Sequence, residues 1–412
     1  MFAKSRLTST VFTVILALLS VIAVGCGPTG TDKTSSGAGG PTGEQKPESV
    51  KIGVLTGLTG KGADWGKKQK VALEIAEKEI NQGGGINGNP VKFIICDTGG
   101  ENQQAVILTR KLATEDKVLA ILGPYFSGEA EVAFPQANEL KLPIISATSA
   151  KPGISAANRP WAFRNSMTDD KMLKVALPLF LKKYPVKNIA VVTDMKDAIS
   201  KSFGTKTLPA ALKATPGLVM LKEGQPVTYN TGDTDFSAQV SALKQLKPEA
   251  IGVGGLYQEI ASLAREMKRQ GMNIPALGNV GMYSEALIEQ GGDAVEGWVA
   301  LSNFWPTSPD PKVQEFNAKF KTAAQAAGLG PTPDTFAVSM YDTALITAEL
   351  IRKNKLTAQS PLEEARAAIR DGWAGVKDYP GVMGKTSIDG AGDGIKEVYT
   401  LIVKDGKWER LE

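Results

Sequence analysis

The sequence contains no histidine. That single absence excludes Ser-His-Asp and Cys-His nucleophilic catalysis, histidine acid–base chemistry and every imidazole metal site. Cysteine is nearly as scarce: Cys26 and Cys96 are the two in 412 residues, too few for a disulfide framework or a cysteine metal cluster. A surplus of one charge is also missing. Lys and Arg total 47 against 43 for Asp and Glu, a formal charge of +4, whereas a nucleic-acid partner requires a concentrated basic face that displaces phosphate counterions. What the chain has in quantity is hydrophobic side chains, 42% of the total, and 44 glycines. At this length such a composition supports two domains, each with its own core.

The first residues have the layout of an export signal. Lys4 and Arg6 precede a nearly unbroken apolar run from Val11 to Val24. A helix over that run spans roughly 21 Å, short of the ~30 Å hydrocarbon core, so it fits a cleaved signal better than a spanning helix. The run closes with Ala23-Val24-Gly25-Cys26, which resembles the bacterial lipoprotein signal, although Ala23 stands where leucine is usual. The expectation is a signal at residues 1–25, lipid attachment at Cys26, and a flexible tether at 26–49 rich in Gly, Ser, Thr and Pro. That arrangement describes an exported protein held at the outer face of a bacterial membrane. Cys96 then has no partner, and its place in Val91-Lys92-Phe93-Ile94-Ile95-Cys96 reads as a buried strand residue rather than a reactive thiol.

From Val50 onward, short apolar runs alternate with amphipathic stretches. The periodicity predicts strands at 50–55, 91–97, 118–122 and 143–146, with helices at 67–81, 103–115 and 127–139 between them. A second series predicts strands at 189–192, 218–221, 250–253 and 274–277, with helices at 238–245 and 259–270. Strands that alternate with helices of ten or more residues indicate right-handed βαβ units and parallel sheets, hence an α/β fold. Three helical patterns over 310–370 contain no convincing strand and are expected to cover a sheet already formed. The tail at 399–410 reads as a hairpin closed by a type I′ turn at Asp405-Gly406. The chain is thus expected to cross between two lobes more than once.

At this point the residues resemble a known family, the type I periplasmic solute-binding proteins of branched-chain amino acid ABC importers. The matching blocks begin with Lys51-Ile52-Gly53-Val54-Leu55-Thr56-Gly57-Leu58-Thr59-Gly60 and Ala63-Asp64-Trp65-Gly66. They continue with Gly84-Gly85-Ile86-Asn87-Gly88, Ile121-Leu122-Gly123-Pro124, Pro143-Ile144-Ile145-Ser146 and Gly291-Gly292-Asp293-Ala294-Val295-Glu296-Gly297. The resemblance implies two Rossmann-like lobes with parallel sheets, joined by a three-strand hinge. Residues 50–167 plus 303–375 are expected in one lobe, and 168–302 plus 376–412 in the other.

Ligands of open parallel sheets bind beyond the carboxyl ends of the strands, where helix N-termini gather. Ser127 follows the strand at 118–122 and begins the next helix, so its hydroxyl and the free N–H groups of the first turn suit a small carboxylate. A serine at a helix start is equally an N-cap, and the two roles are compatible. In Ser146-Ala147-Thr148-Ser149-Ala150 the small side chains let backbone N–H groups come close to a ligand. The resemblance implies that Thr148 takes a backbone-donor place. It puts Ala150 where a threonine is common, with Thr148 or Ser149 as the substitute hydroxyl. Trp65 matches an aromatic that closes over the ligand side chain. Its position between Gly62 and Gly66 favours a loop exposed to the cleft over an ordinary core site, with Tyr125 and Phe126 on the same wall.

In the second lobe the resemblance points to Tyr257 and Asn279, but Leu256 replaces one usual aromatic. Val280 stands where an acidic residue pairs with the ligand α-amino group, and the 197–200 loop lacks the matching tyrosine. A buried ammonium without a carboxylate costs several kcal/mol, so these departures point to an aromatic or short-chain acid over an amino acid.

Gly60-Lys61-Gly62 completes neither a P-loop nor a dinucleotide fingerprint, since Leu55, Gly62 and Trp65 occupy positions those motifs reserve for other residues. No cofactor, no metal and no catalytic residue is expected. The reading is a monomeric binding protein that closes on a small carboxylate-bearing solute, branched-chain amino acid-like or an aromatic or short-chain acid, and passes it to ABC permease subunits. The alternative is a ligand-sensing subunit of a signalling system that uses the same cleft.

Overall fold

The computed structural model describes residues 47–412. The proposed signal, Cys26 and most of the tether lie outside the described residues. Five parallel strands form the first sheet, in the order Val91–Asp97, Val50–Thr56, Ile121–Leu122, Ile144–Ser146, Ala162–Arg164. Val50, Ile52 and Val54 point to one face, where Ala63–Gln82, Pro311–Ala326, Thr335–Lys353 and Leu362–Ala374 pack. Leu55 points to the other face, against Asn102–Thr114 and Ser127–Glu139. A strand buried on both sides reads as a continuous apolar run, which is why period-two alternation is not visible here. Helices over 310–370 cover the first sheet, as their isolation from any strand implied.

The second sheet repeats this order. Val219–Met220, Asn188–Asp194, Ala250–Gly254, Ala276–Gly278 and Val299–Ser302 run parallel, and Val227–Tyr229 also pairs with Asn188–Asp194. Tyr399–Lys404 then adds antiparallel, followed by Lys407–Arg410. Asp405 and Gly406 between them have φ of 52° and 69°, the two left-handed residues of a type I′ turn.

These are two Rossmann-like α/β lobes, and the chain passes between them three times. The crossings follow Ala162–Arg164, follow Val299–Ser302 and precede Tyr399–Lys404. The first and third are held together at Arg164 N–H to Gly392 O (2.8 Å) and Gly394 N–H to Ser166 O (3.1 Å). The hairpin of Tyr379–Gly381 and Gly384–Ile388, expected with the second lobe, packs on the first. The N–H groups of Val382 and Met383 each donate to the Asp342 carboxylate at 2.9 Å, and Met383 joins the core of the first lobe.

The strand expected at 118–122 is regular only over Ile121–Leu122. Upstream it stays tied to the sheet through Leu119 N–H to Lys51 O (3.0 Å) and Gly53 N–H to Ala120 O (2.9 Å). Cys96 is a half-buried strand residue whose thiol is pushed up by burial, consistent with an inert side chain.

Candidate functional site

In each sheet the strand order reverses once, between the first strand of the series and the third, and a crevice opens at the carboxyl ends there. In the first lobe the crevice is lined by the loop after Thr56 and by residues 123–127. In the second it is lined by residues 195–198 and 255–257. The loops of the two lobes face one another.

Trp65 lies in the first turn of the helix Ala63–Gln82 rather than in a loop. The helix starts early because Gly66 is pressed against the preceding loop: a Cβ there would stand 1.9 Å from Gly57 O. Trp65 is 1% exposed, so the expected exposure to the cleft is replaced by burial between the lobes. Its ring stacks on Phe336 at 4.4 Å and meets Tyr257 of the second lobe edge-on at 4.9 Å, with Phe126 at 6.4 Å. Tyr257 begins the helix Tyr257–Arg269, and burial pushes its phenol to about 12. Tyr125 donates its hydroxyl to Lys61 O at 2.9 Å and packs on Phe126. Trp65, Tyr125, Phe126 and Phe336 thereby share one apolar cluster with Leu256, Tyr257 and Met282 of the opposite lobe.

Ser127 is the first residue of its helix and not the cap, because Phe126 holds that position and Glu129 Oε2 accepts the Phe126 N–H at 3.2 Å. The hydroxyl of Ser127 accepts the Lys151 N–H at 3.3 Å, which binds the helix start to the 147–151 loop. Thr148 donates its hydroxyl to Tyr125 O at 3.1 Å, so that group is occupied within the lobe. Ser149 directs its N–H to Ser146 Oγ at 3.0 Å, while its own hydroxyl is buried without a partner. Ala150 is buried and its carbonyl accepts the Asp169 N–H at 3.0 Å. Asn279 braces two adjacent turns by accepting the Gly255 N–H at 3.2 Å, and its Nδ2 is left unpaired.

The residue that sequence reasoning missed is Asp169, in the first turn of Asp169–Lys183. It is completely buried, and neither carboxylate oxygen has a hydrogen-bond partner. Burial holds the carboxyl well above the usual range and outweighs the backbone N–H of Val280, which is near enough to draw its pKa down. The turn at Val280 therefore carries no acid of its own, but one is delivered to it from the first crossing. Along the chain, Asp169 looks like an ordinary first-turn acid favoured by the helix dipole, and no sequence signal separates the two cases.

A void of about 10 Å³ remains where Thr148, Ala150, Val280 and Phe336 meet, room for roughly one water. Among the described residues no His/Cys/Asp/Glu group is disposed to hold a metal ion, and no helix is long and apolar enough to cross a membrane.

Two Rossmann-like lobes that meet over a polar loop cluster and an aromatic wall define a two-lobed binding protein. Residues 49–407 match the family described as periplasmic binding protein, and the chain belongs to that family. It is 28% identical over 362 residues to the Leu/Ile/Val-binding protein BraC3 of Rhizobium johnstonii, spanning 87% of this chain and 92% of that one. Among solved structures it is similar to the leucine-binding protein LivK of Thermotoga maritima, with TM-score 0.77, 26% identity and coverage of 88% of this chain and 97% of that chain. It is also similar to LivJ of Streptococcus pneumoniae, a branched-chain amino acid transporter substrate-binding protein in complex with isoleucine. There the TM-score is 0.76 and the identity 25%, over 88% of this chain and 98% of the other.

Proposed function

We propose that this protein is the extracytoplasmic solute-binding subunit of an ABC importer, and that its solute is an α-amino acid with an apolar side chain. The observation that carries this reading is the Asp169 carboxylate, buried at the cleft with no partner. A buried carboxylate is tolerable when a cation meets it, and an α-ammonium supplies that cation. Ser127, the unpaired hydroxyl of Ser149 and the Thr148 N–H then receive the α-carboxylate, close to the N-terminus of Ser127–Glu139. Ala150, Tyr125, Tyr257 and Asn279 complete the walls, and Trp65 covers the side chain. The relatives named as Leu/Ile/Val- and leucine-binding support the same solute class.

Entry requires the lobes to part, since the point where Thr148, Ala150, Val280 and Phe336 meet has almost no free space. The three crossings act as the hinge, and the guest favours closure because it touches both lobes only there. In this reading one lobe comprises 50–167 and 303–375 with the 379–388 hairpin, and the other 168–302 with the terminal strands. Lipid attachment at Cys26 holds a monomer beside its permease, with residues 26–49 as tether. Nothing is chemically transformed.

Isothermal titration with leucine, isoleucine, valine and benzoate tests the proposal. Micromolar or tighter binding of at least one of the amino acids is expected. Binding of benzoate with none of the three amino acids would overturn the role of Asp169, and binding of none of the four would overturn the solute class.

A further inference from the structure

A second chamber, of about 470 Å³, opens between the lobes beside the proposed solute site. It lies where Ser127–Glu139 faces Ala198–Ser202, and a Cβ on Gly128 would come within 3.5 Å of the Ala198 Cβ across the gap. The first lobe contributes Lys61 and Lys151, and the second contributes Lys196, Lys201 and Lys206. Two acids also line the chamber. Glu131 is paired with Lys151. Asp197 turns inward to accept the Ser200 N–H at 3.0 Å and the Ser200 hydroxyl at 2.7 Å. Among the described residues, Lys61, Lys196, Lys201 and Lys206 have no carboxylate within ion-pairing distance, and Lys61 rests over the Phe126 ring at 4.7 Å.

The backbone that presents the second-lobe lysines is irregular. Phe203–Thr207 is a π-helical turn set between two short α-helices, a feature that recurs at functional sites. It lies flat on the sheet at Gly204, where a Cβ would stand 2.4 Å from the Thr193 Cβ. With that side of the turn fixed, Lys201, Ser202, Thr205 and Lys206 all face the chamber. Lys61 attracts Asp197 across the gap, but five lysines against two acids leave an excess of positive charge that opposes the approach of the lobes, and an anion between them offsets it.

We propose that this inter-lobe chamber binds a small organic anion with two or more carboxylates, which bridges the lysines of both lobes and favours the closed state. The volume lies in the small-molecule range. Ammonium groups spread around it suit charges that are spaced apart rather than a single monovalent anion. The site rests on the closure assumed above but not on the identity of the transported solute. An anion that contacts both lobes only when they are closed raises solute affinity by the same factor that the solute raises its own.

Citrate is the probe, titrated into the full protein by calorimetry at fixed ionic strength, with acetate as the monovalent control. Saturable binding of one citrate is expected, at least tenfold tighter than acetate. It should be weakened at least tenfold in K201A/K206A and in K61A, with unfolding midpoints near that of the wild type. No saturable citrate binding, or citrate binding unchanged in K201A/K206A, would overturn the site. Amino acid binding without citrate binding removes this inference and leaves the transport reading standing. Citrate binding without amino acid binding keeps this site and removes the amino acid as the solute.

Discussion

Arg164 and Asp393 form an ion pair inside the hinge although 229 residues separate them: Nε and Nη2 of Arg164 both donate to Asp393 Oδ1, at 2.9 and 2.6 Å. The guanidinium is fully buried, and its Nη1 also donates to the carbonyls of Ser149 (3.3 Å) and Lys151 (2.5 Å). One side chain thus joins the first crossing, the third crossing and the loop that carries Ser149. Removing one member of a buried pair leaves an uncompensated charge, at a cost of about 3–5 kcal/mol. Arg164→Met is expected at the lower end of that range, because Lys171 Nζ stands 3.6 Å from the Asp393 carboxylate and continues to neutralise it. The double variant Arg164→Met/Asp393→Leu should recover most of the loss. Urea unfolding of the three proteins checks both statements, and equal loss in single and double variants would show that packing outweighs charge here.

Asp169→Asn separates stability from binding. In the closed protein without guest the carboxylate is buried and unpaired, so the neutral amide should raise the unfolding midpoint measured without solute. The same change removes the counter-charge of an α-ammonium, and the affinity for leucine-type solutes should fall by a hundredfold or more, by about 3 kcal/mol or more. Thermal melts with calorimetric titration read both effects. A variant that is stabilised yet binds leucine as the wild type does would place the ammonium elsewhere.

How far the sequence could be read depended on where the determining interaction lies. The helix Ser127–Glu139 and the terminal hairpin were legible because their signals are local: a serine after an apolar run, and Asp405-Gly406 between two alternating segments. Ala162–Arg164 was not legible, because three residues are too few for a period and the strand exists only through its pairing with Ile144–Ser146. Trp65 was misplaced for a related reason. Gly62 and Gly66 look like helix breakers, yet only Gly62 is the N-cap, and Gly66 is a helical residue selected by its approach to Gly57 O. The role of Asp169 was hidden too, since a missing hydrogen-bond partner is a property of the packed lobes and leaves no trace in the chain.

Glu129 makes stability depend on pH. Its Oε2 accepts the Phe126 N–H, its Oε1 has no partner, and burial raises the carboxyl from 4.5 to about 7. The folded chain therefore holds this proton more tightly than the unfolded chain. The resulting stabilisation is complete below about pH 4.5, declines as pH rises and is lost through pH 7, for a total of about 3 kcal/mol. Glu129→Gln keeps an acceptor for Phe126 and never ionises. The difference in unfolding free energy, variant minus wild type, should grow in the variant's favour from pH 5 to pH 8. A difference independent of pH would mean that Glu129 is solvated in solution.

Trp65 bears on the balance between open and closed lobes. It stacks on Phe336 within its own lobe and meets Tyr257 across the cleft. Aromatic pairs of this kind contribute about 0.5–1.5 kcal/mol beyond area burial. That is enough to shift a two-state equilibrium several-fold, since about 1.4 kcal/mol is a factor of ten. The indole N–H is buried without a partner, so the closed state without guest carries an offsetting cost that a guest acceptor would relieve. Tyr257→Ala removes only the cross-cleft half of the contact and leaves the Phe336 stack in place. Small-angle scattering without solute should therefore show a larger radius of gyration for Tyr257→Ala than for the wild type, with contraction restored by a saturating amino acid. If both proteins scatter identically, the aromatic contact does not hold the lobes together, and the hinge segments around Arg164 must set the closed state.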